Sequence, residues 1–427
     1  MKAFIPRIAA FCAAVLVSFA ARAEEGILLS YHGDGSYVFV EKTDLRRYDN
    51  GKYVGLTSRE VESYIAPEKR GNATYYDGSF YVVQETKRNR HEVRQGIREA
   101  VASRFTISAD GVLSLIDDNG YPSFRSFPSY PHQRINIGDS WRAEGVRVVD
   151  PLDSGIYTKI PMLVEYVYLR DEVYHGEDVS VVSGKWATRY SPAVADPAGD
   201  PSLKVAQGKH EATIIISKAT GNAIVVRDTV DESFLYDGGR TVQFKGTISL
   251  FTKQPPAYNK ASVITALQRM AIVTPNEAAA LAEAHAVPQP KKDDFRDAAR
   301  ERNIAVEDTD SGLRLTVQNL QFKSDSAELL PGEVKRLDDI AAVLKEAGEA
   351  QFLVEGHTAS TGSPESEQRL SEERARTIAE ELAKRGIPAE RFICKGSGGR
   401  KPLADNSTRE GKARNRRVEI TILGKEL

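Results

Sequence analysis

Val354-Glu355-Gly356-His357-Thr358-Ala359-Ser360-Thr361-Gly362, V-E-G-H-T-A-S-T-G in one-letter code, decides the reading of the C-terminal third of the chain. A β-prone run that ends in Gly-His-Thr and passes into hydroxyl residues predicts a strand emptying into a loop built to hold a polar group. Ala359 sits in that loop, yet it can neither accept a hydrogen bond nor carry charge. Directly after it, Ser363 provides an N-cap and Pro364 a first helical residue, so a long helix is predicted from here to Gly386, with Pro388 beyond its end.

Working outward, Leu313, Leu315 and Val317 alternate as in a strand. Val334, Leu337, Ala341 and Leu344 stripe a helix that starts at Pro331 and ends at Gly348. Phe352 to His357, Arg391 to Lys395 and Arg417 to Leu423 complete the strands. The order β-α-β-α-β-β predicts an α/β sandwich with both helices on one face of a mixed sheet. Within the long helix, Arg374 falls inside the apolar stripe of Leu370, Ile378 and Leu382, so its guanidinium must meet an anion or reach along the margin to water.

F-K-S-D-S-A-E-L-L-P (322–331), V-E-G-H-T (354–358), L-S-E-E-R-A (370–375), G-I-P-A-E-R (386–391), G-S-G-G-R-K-P-L-A-D-N (396–406) and N-R-R-V-E-I (415–420) run in order through every predicted element. Together they resemble the OmpA-like C-terminal domain over residues 295–427. The resemblance implies noncovalent binding of peptidoglycan through the diaminopimelate of its stem peptide. An aspartate directly after Gly-His-Thr would pair with the ligand's ammonium, and the arginine of the L-S-x-x-R-A stretch with its carboxylate.

Arg374 matches that arginine, and Ala359 stands where the aspartate belongs. Ser366 and Glu367 replace the Tyr-Asn pair usual in the family. The altered ligand site implied by the resemblance comprises His357, Thr358, Ala359, Glu365, Glu367, Arg374, Asn415 and Arg416. Removing one member of a buried charge pair costs roughly 2 to 5 kcal/mol, so peptidoglycan binding is expected to be weak or lost. A carboxylate from Glu365 or Glu367 is the one replacement on offer within reach of Arg374; as a plainer alternative, both are solvated residues of a helix start.

The rest of the chain reads differently. Lys2 and Arg7, an apolar run from Ile8 to Ala21 and Ala21-Arg22-Ala23 have the layout of a signal peptide spanning 1–23. Cys12 lies within it, leaving Cys394 alone and no internal disulfide. The chain carries 58 basic and 60 acidic residues; the leader removes three basic ones, leaving a charge of about −5 and no electrostatic case for nucleic acid. No later stretch is long and apolar enough for a transmembrane helix.

Residues 24–253 are rich in Tyr, Val, Ile and Phe, and turn dipeptides at Asn50-Gly51, Asp77-Gly78, Asp110-Gly111, Asn119-Gly120, Gly221-Asn222 and Asp237-Gly238 predict a mainly antiparallel β region. Ile160, Met162, Val164, Tyr166 and Tyr168 share one face of a strand, as do Val242, Phe244, Ile248 and Leu250 of another. Val93, Ile97 and Val101 predict a helix between Arg90 and Ser103. The proline-aromatic stretch 121–131 opens a division of this region into two modules. Residues 254–294 read as a helical and Pro-rich linker, with a helix capped by Thr274.

The fold class is therefore multidomain, mainly antiparallel β followed by an OmpA-like α/β sandwich. No metal spacing links the seven histidines, no nucleophile motif stands out, and no cofactor is predicted. The expected role is structural, in an exported envelope protein of the periplasm or the periplasmic face of the outer membrane. The rival reading is an adhesin-like ligand- or host-binding module in the β region, with the C-terminal domain as scaffold; a hydrolase hidden in that region is a third.

Overall fold

The computed structural model describes residues 26–272 and 304–426, apart from 34–35, 66, 71–72, 88, 94–95, 192, 194–195, 310, 319 and 324. The expected leader and the helix capped by Thr274 lie outside the described residues.

The N-terminal strands are β1 (Tyr37–Asp49), β2 (Lys52–Ile65), β3 (Pro67–Arg70), β4 (Ala73–Lys87), β5 (Arg90–Val93), β6 (Arg98–Glu99), β7 (Val101–Ile107), β8 (Leu113–Asp117), β9 (Phe124–Arg125), β10 (Ser140–Val149), β11 (Thr158–Tyr174), β12 (Glu177–Tyr190), β13 (Leu203–Ser217), β14 (Ala223–Tyr236) and β15 (Thr241–Lys253). All but β6 join one 14-stranded sheet whose main path runs β8-β7-β4-β2-β1-β15-β14-β13-β12-β11-β10-β9. Its end strands are joined by a short segment, and the Leu113 amide donates to Ser126 Oγ at 3.0 Å across the seam, giving a nearly closed, barrel-like sheet.

Strand alternation decides what lies inside. Met162, Val164, Tyr166, Trp186, Ile214, Val230 and Ile248 are buried in one interior cluster. The opposite face of the same strands carries Arg142–Glu165, Lys185–Glu211 and Lys245–Asp231 ion pairs, the pattern of a sheet turned to water. Both alternating strand faces read from the sequence are found as expected.

Three expectations are corrected. The region does not divide into two modules at 121–131, because β1, in the first half, pairs along its length with β15 in the second, and the proline-aromatic stretch packs Tyr121, Phe124 and Tyr130 into the interior. The predicted helix between Arg90 and Ser103 is extended: β5 and β7 pair with β4, and Gly96 adopts a φ of +124° that a helix interior does not accommodate. Asp77-Gly78 is no turn either, but the middle of β4, where a Cβ on Gly78 would come 3.2 Å from the Phe80 ring.

After β16 (Ala257–Tyr258), helix α1 (Lys260–Ile272) begins where the Asn259 side chain accepts from the Ser262 amide. Its Val263 and Leu267 enter the core of the C-terminal domain, so part of the segment read as linker belongs to that core. The domain continues with β17 (Ile304–Thr309), β18 (Gly312–Gln318), α2 (Val334–Lys345), β19 (Gln351–His357), α3 (Pro364–Lys384), β20 (Phe392–Gly396), α4 (Arg409–Asn415), β21 (Arg417–Leu423) and β22 (Lys425–Glu426). Its mixed sheet has the order β17-β18-β21-β19-β20-β6, with β19 and β20 parallel.

The sixth strand is thus donated by the N-terminal region: Arg98 and Glu99 pair with Ile393 and Cys394. Leu353, Ile393 and Leu423, on the sheet face turned away from the helices, pack with Val38, Val40, Tyr64 and Tyr81 of the barrel. The two halves meet through a built interface.

α3 lies close on the sheet because glycines sit beneath it. A Cβ on Gly356 would lie 2.1 Å from the Ser371 carbonyl oxygen, and one on Gly396 2.5 Å from the Glu372 side chain. Gly356→Ala is expected to lower stability by about 1 to 3 kcal/mol through overpacking, read as a fall in the midpoint of denaturant unfolding.

Candidate functional site

Gly356 and Gly396 bring the C-terminal ends of β19 and β20 together under the start of α3, and the loop from His357 to Gly362 leaves from that point. The Thr358 amide donates to Gly398 O at 2.9 Å, tying this loop to the one after β20. Ala359 is not at an exposed tip: its methyl is buried, and the exposed part of the loop begins at Ser360. Thr358 is buried too, and its Oγ1 has no hydrogen-bond partner among the described residues.

The Glu367 carboxylate accepts from the Thr361 and Gly362 amides at 2.6 and 2.7 Å, so it closes the loop onto the first turn of α3. Glu365, one turn away from that contact network, is exposed. Asn415 is fully buried; its side chain accepts from the Leu403 and Ala404 amides and donates to Asn406, whose Oδ1 also receives the Ser360 amide. Asn415 therefore holds the rim loops in place, and Arg416 beside it is exposed.

Arg374 is 8 % exposed. Its Nε donates to the Ser326 carbonyl at 3.1 Å and its guanidinium lies 4.8 Å from the centroid of the Phe322 ring. Among the described residues no carboxylate lies within ion-pair distance of it. Burial, with repulsion from Arg416, pulls its pKa down against the attraction of Asp325. A guanidinium so placed is costly to the fold and receptive to a carboxylate from outside.

His357, Glu355 and Glu419 converge within 4.8 Å on the same buried sheet face. The carboxylates already have protein partners: Ser397 and Lys401 on Glu355, and Arg417 on Glu419 at 2.7 Å. Lys401 and Lys395 both bind Asp77 of β4, at 2.6 and 2.8 Å. The row Lys395–Glu355–Glu419, in register across β20, β19 and β21, is thus sealed by an aspartate of the other domain. Sequence reasoning missed this junction, since Asp77-Gly78 has the form of a turn.

The barrel interior holds a second arrangement that sequence reasoning missed. His210 Nδ1 lies 2.6 Å from Asp228, and its Nε2 lies 2.9 Å from Glu232 and 3.1 Å from Thr188 Oγ1. Hydroxyl, imidazole and carboxylate in line suggest a nucleophile and its base. Burial works against a charged imidazole, but the Asp228 and Glu232 hydrogen bonds outweigh it and raise the pKa. With a carboxylate at each nitrogen both protons are held, so the ring is a donor within an ion network that Arg147 completes on Glu232 at 3.1 Å. Trp186 stacks on the imidazole at 4.4 Å, and both tryptophans are built into the interior, Trp141 lying on Tyr166.

Two predictions follow from the geometry of the C-terminal domain. Arg374→Met removes an unpaired buried cation and is expected to leave the thermal midpoint unchanged or raise it, as scanning calorimetry would show. Acid should weaken the junction. Burial raises the Glu355 and Glu419 carboxyls, but Lys395 and Lys401 hold Glu355 well below the usual range, and His357 and Arg417 bring Glu419 to about 2. Depressed carboxyls contribute stability above their unfolded pKa and lose it as pH falls through the folded value, so stability should decline from about pH 4.5 downward, less steeply in Glu419→Gln.

Residues 321–416 match the model of the OmpA family. The protein named "Probable lipoprotein YiaD" of Escherichia coli (strain K12) is 41 % identical over 129 residues, 30 % of this chain and 59 % of that protein. The peptidoglycan-binding protein ArfA of Mycobacterium tuberculosis (strain H37Rv) is 37 % identical over 103 residues, 24 % of this chain and 32 % of its own length. This chain thus spans about three-fifths of the first and a third of the second. Among solved structures, an outer membrane protein from Borrelia burgdorferi B31 is 36 % identical, covering 28 % of this chain and 97 % of its own, with a TM-score of 0.25.

Proposed function

We propose, from the premise of an OmpA-family domain at residues 321–416, that this is an exported envelope protein that meets peptidoglycan weakly, through a site reduced to its arginine half. The carrying observation is the state of Arg374: buried, held by one backbone carbonyl and an aromatic ring, and without an acid partner among the described residues. The name of the ArfA protein and its likeness to this domain support the wall as the partner. In this reading a stem-peptide carboxylate pairs with Arg374, while the ligand's ammonium finds the Ala359 methyl where a carboxylate would neutralise it. Glu367 is occupied by loop amides, which leaves Glu365 as the acid of the two open to solvent.

In this reading the protein works in the periplasm or on the periplasmic face of the outer membrane, with an organising role rather than a catalytic one. No helix among the described residues is long and apolar enough to cross a membrane. The charged outward face of β10–β15 supports a barrel bathed in water. A ligand-binding role for the β region is the second reading, favoured by the polar cavity inside it.

Co-sedimentation of the purified chain with sacculi tests the first reading. Weak retention is expected, with Ala359→Asp raising it by about tenfold or more and Arg374→Gln removing what remains. Retention by the unaltered chain as firm as that of a domain bearing both charges would overturn it.

A further inference from the structure

The inside of the barrel holds one acid and one base that the protein's own pairing leaves incomplete. Glu41 lies on β1 and Arg59 on β2; Glu41 faces Val61 and Arg59 faces Thr43 across the ladder, so the two are diagonal neighbours on one face. Both line a cavity of about 750 Å³ whose walls include Tyr121, Tyr157, Arg147 and Phe244.

Glu41 is 8 % exposed, accepts from Ser123 Oγ at 2.5 Å, and has no cation within ion-pair distance among the described residues. Arg59 has Glu85 at 4.0 Å, and its Nε, though buried, has no hydrogen-bond partner among the described residues. The guanidinium is held instead near the Tyr121 ring, 6.0 Å from its centroid. The other charges around the cavity are satisfied: Arg147 by Glu232, Lys87 by Asp153, Arg47 by Asp49.

A lone anion entering this cavity would complete Arg59 and leave Glu41 as it is; a lone cation would do the reverse. A molecule carrying both charges a few bonds apart completes both at once, with Tyr121 and Tyr157 available to cover its apolar part. We propose that this cavity binds a small zwitterion with an amine and a carboxylate, such as an amino acid or short peptide, the carboxylate on Arg59 and the ammonium on Glu41. Burial, which outweighs the Ser123 hydrogen bond and the pull of Arg147 and Arg59, raises the Glu41 pKa in the empty cavity; Glu41→Gln keeps the shape of the side chain and an acceptor for Ser123, and should fold.

The experiment is calorimetric titration of the purified chain with glycylglycine, propionate and propylamine. Glycylglycine is expected to bind at least about tenfold more tightly than either single-charge probe, and Glu41→Gln and Arg59→Gln each to weaken it about tenfold or more at an unchanged melting temperature. Arg374→Met should leave this binding untouched, which separates it from wall contact. Should Arg59→Gln melt early, Arg59→Lys, which keeps the charge and loses the fork, is expected to give an intermediate loss. No heat with glycylglycine at about 10 mM, equal affinity for propionate or propylamine, or indifference to both substitutions would overturn the proposal and leave a hydrated cavity.

Discussion

A charge taken out of water must be met by an opposite charge or by several hydrogen bonds, and that constraint organises both halves of this protein. Where opposite charges meet, the structure is being held together: Asp77 closes over Lys395 and Lys401, and Arg147, Glu232, His210 and Asp228 form a continuous chain inside the barrel. Where it is met only in part, at Arg374 and at Glu41 with Arg59, the shortfall lies beside a rim loop or a cavity. The same rule gives His357 its place, since its ring lies between the two glutamates of the buried row at 3.8 and 3.6 Å, where it serves the junction.

The C-terminal domain was legible because its signals are local. Ser363 caps α3 by accepting from the Ser366 amide, Pro364 starts it, and the alternation of Val418, Ile420 and Ile422 fixes one face of β21. Strand alternation likewise identified the inner faces of β11 and β15. What escaped was non-local. A strand as short as β6 has no pattern of its own and exists because β20 offers it an edge, and α1 is defined by the surface that receives Val263 and Leu267. Asp77-Gly78 carried the chemistry of a turn, but a residue 318 positions away claims the aspartate.

The site residues show the same division. Sequence placed Arg374 in an apolar stripe and Ala359 in the loop that follows β19, and both stand there. It could not say that Glu367 spends its carboxylate on the amides of Thr361 and Gly362, or that Asn415 pins two loops from a fully buried position, because backbone donors have no letter in the sequence. Glu41 and Arg59 escaped for a further reason: on a strand each is one inward polar residue among many, and only the packed interior shows which partners they lack.

The parallel pairing of β6 with β20 has a consequence for assembly. An unprotected strand border is a template for neighbouring chains, and here the cover comes from the other domain, across contacts such as Glu99 with Arg376, 277 positions apart. Contacts so distant in sequence carry a loop-closure cost before the pairing rewards it, so the cover depends on the two domains being held together. Severing the halves would expose that border permanently and leave the C-terminal fragment with an open pairing edge.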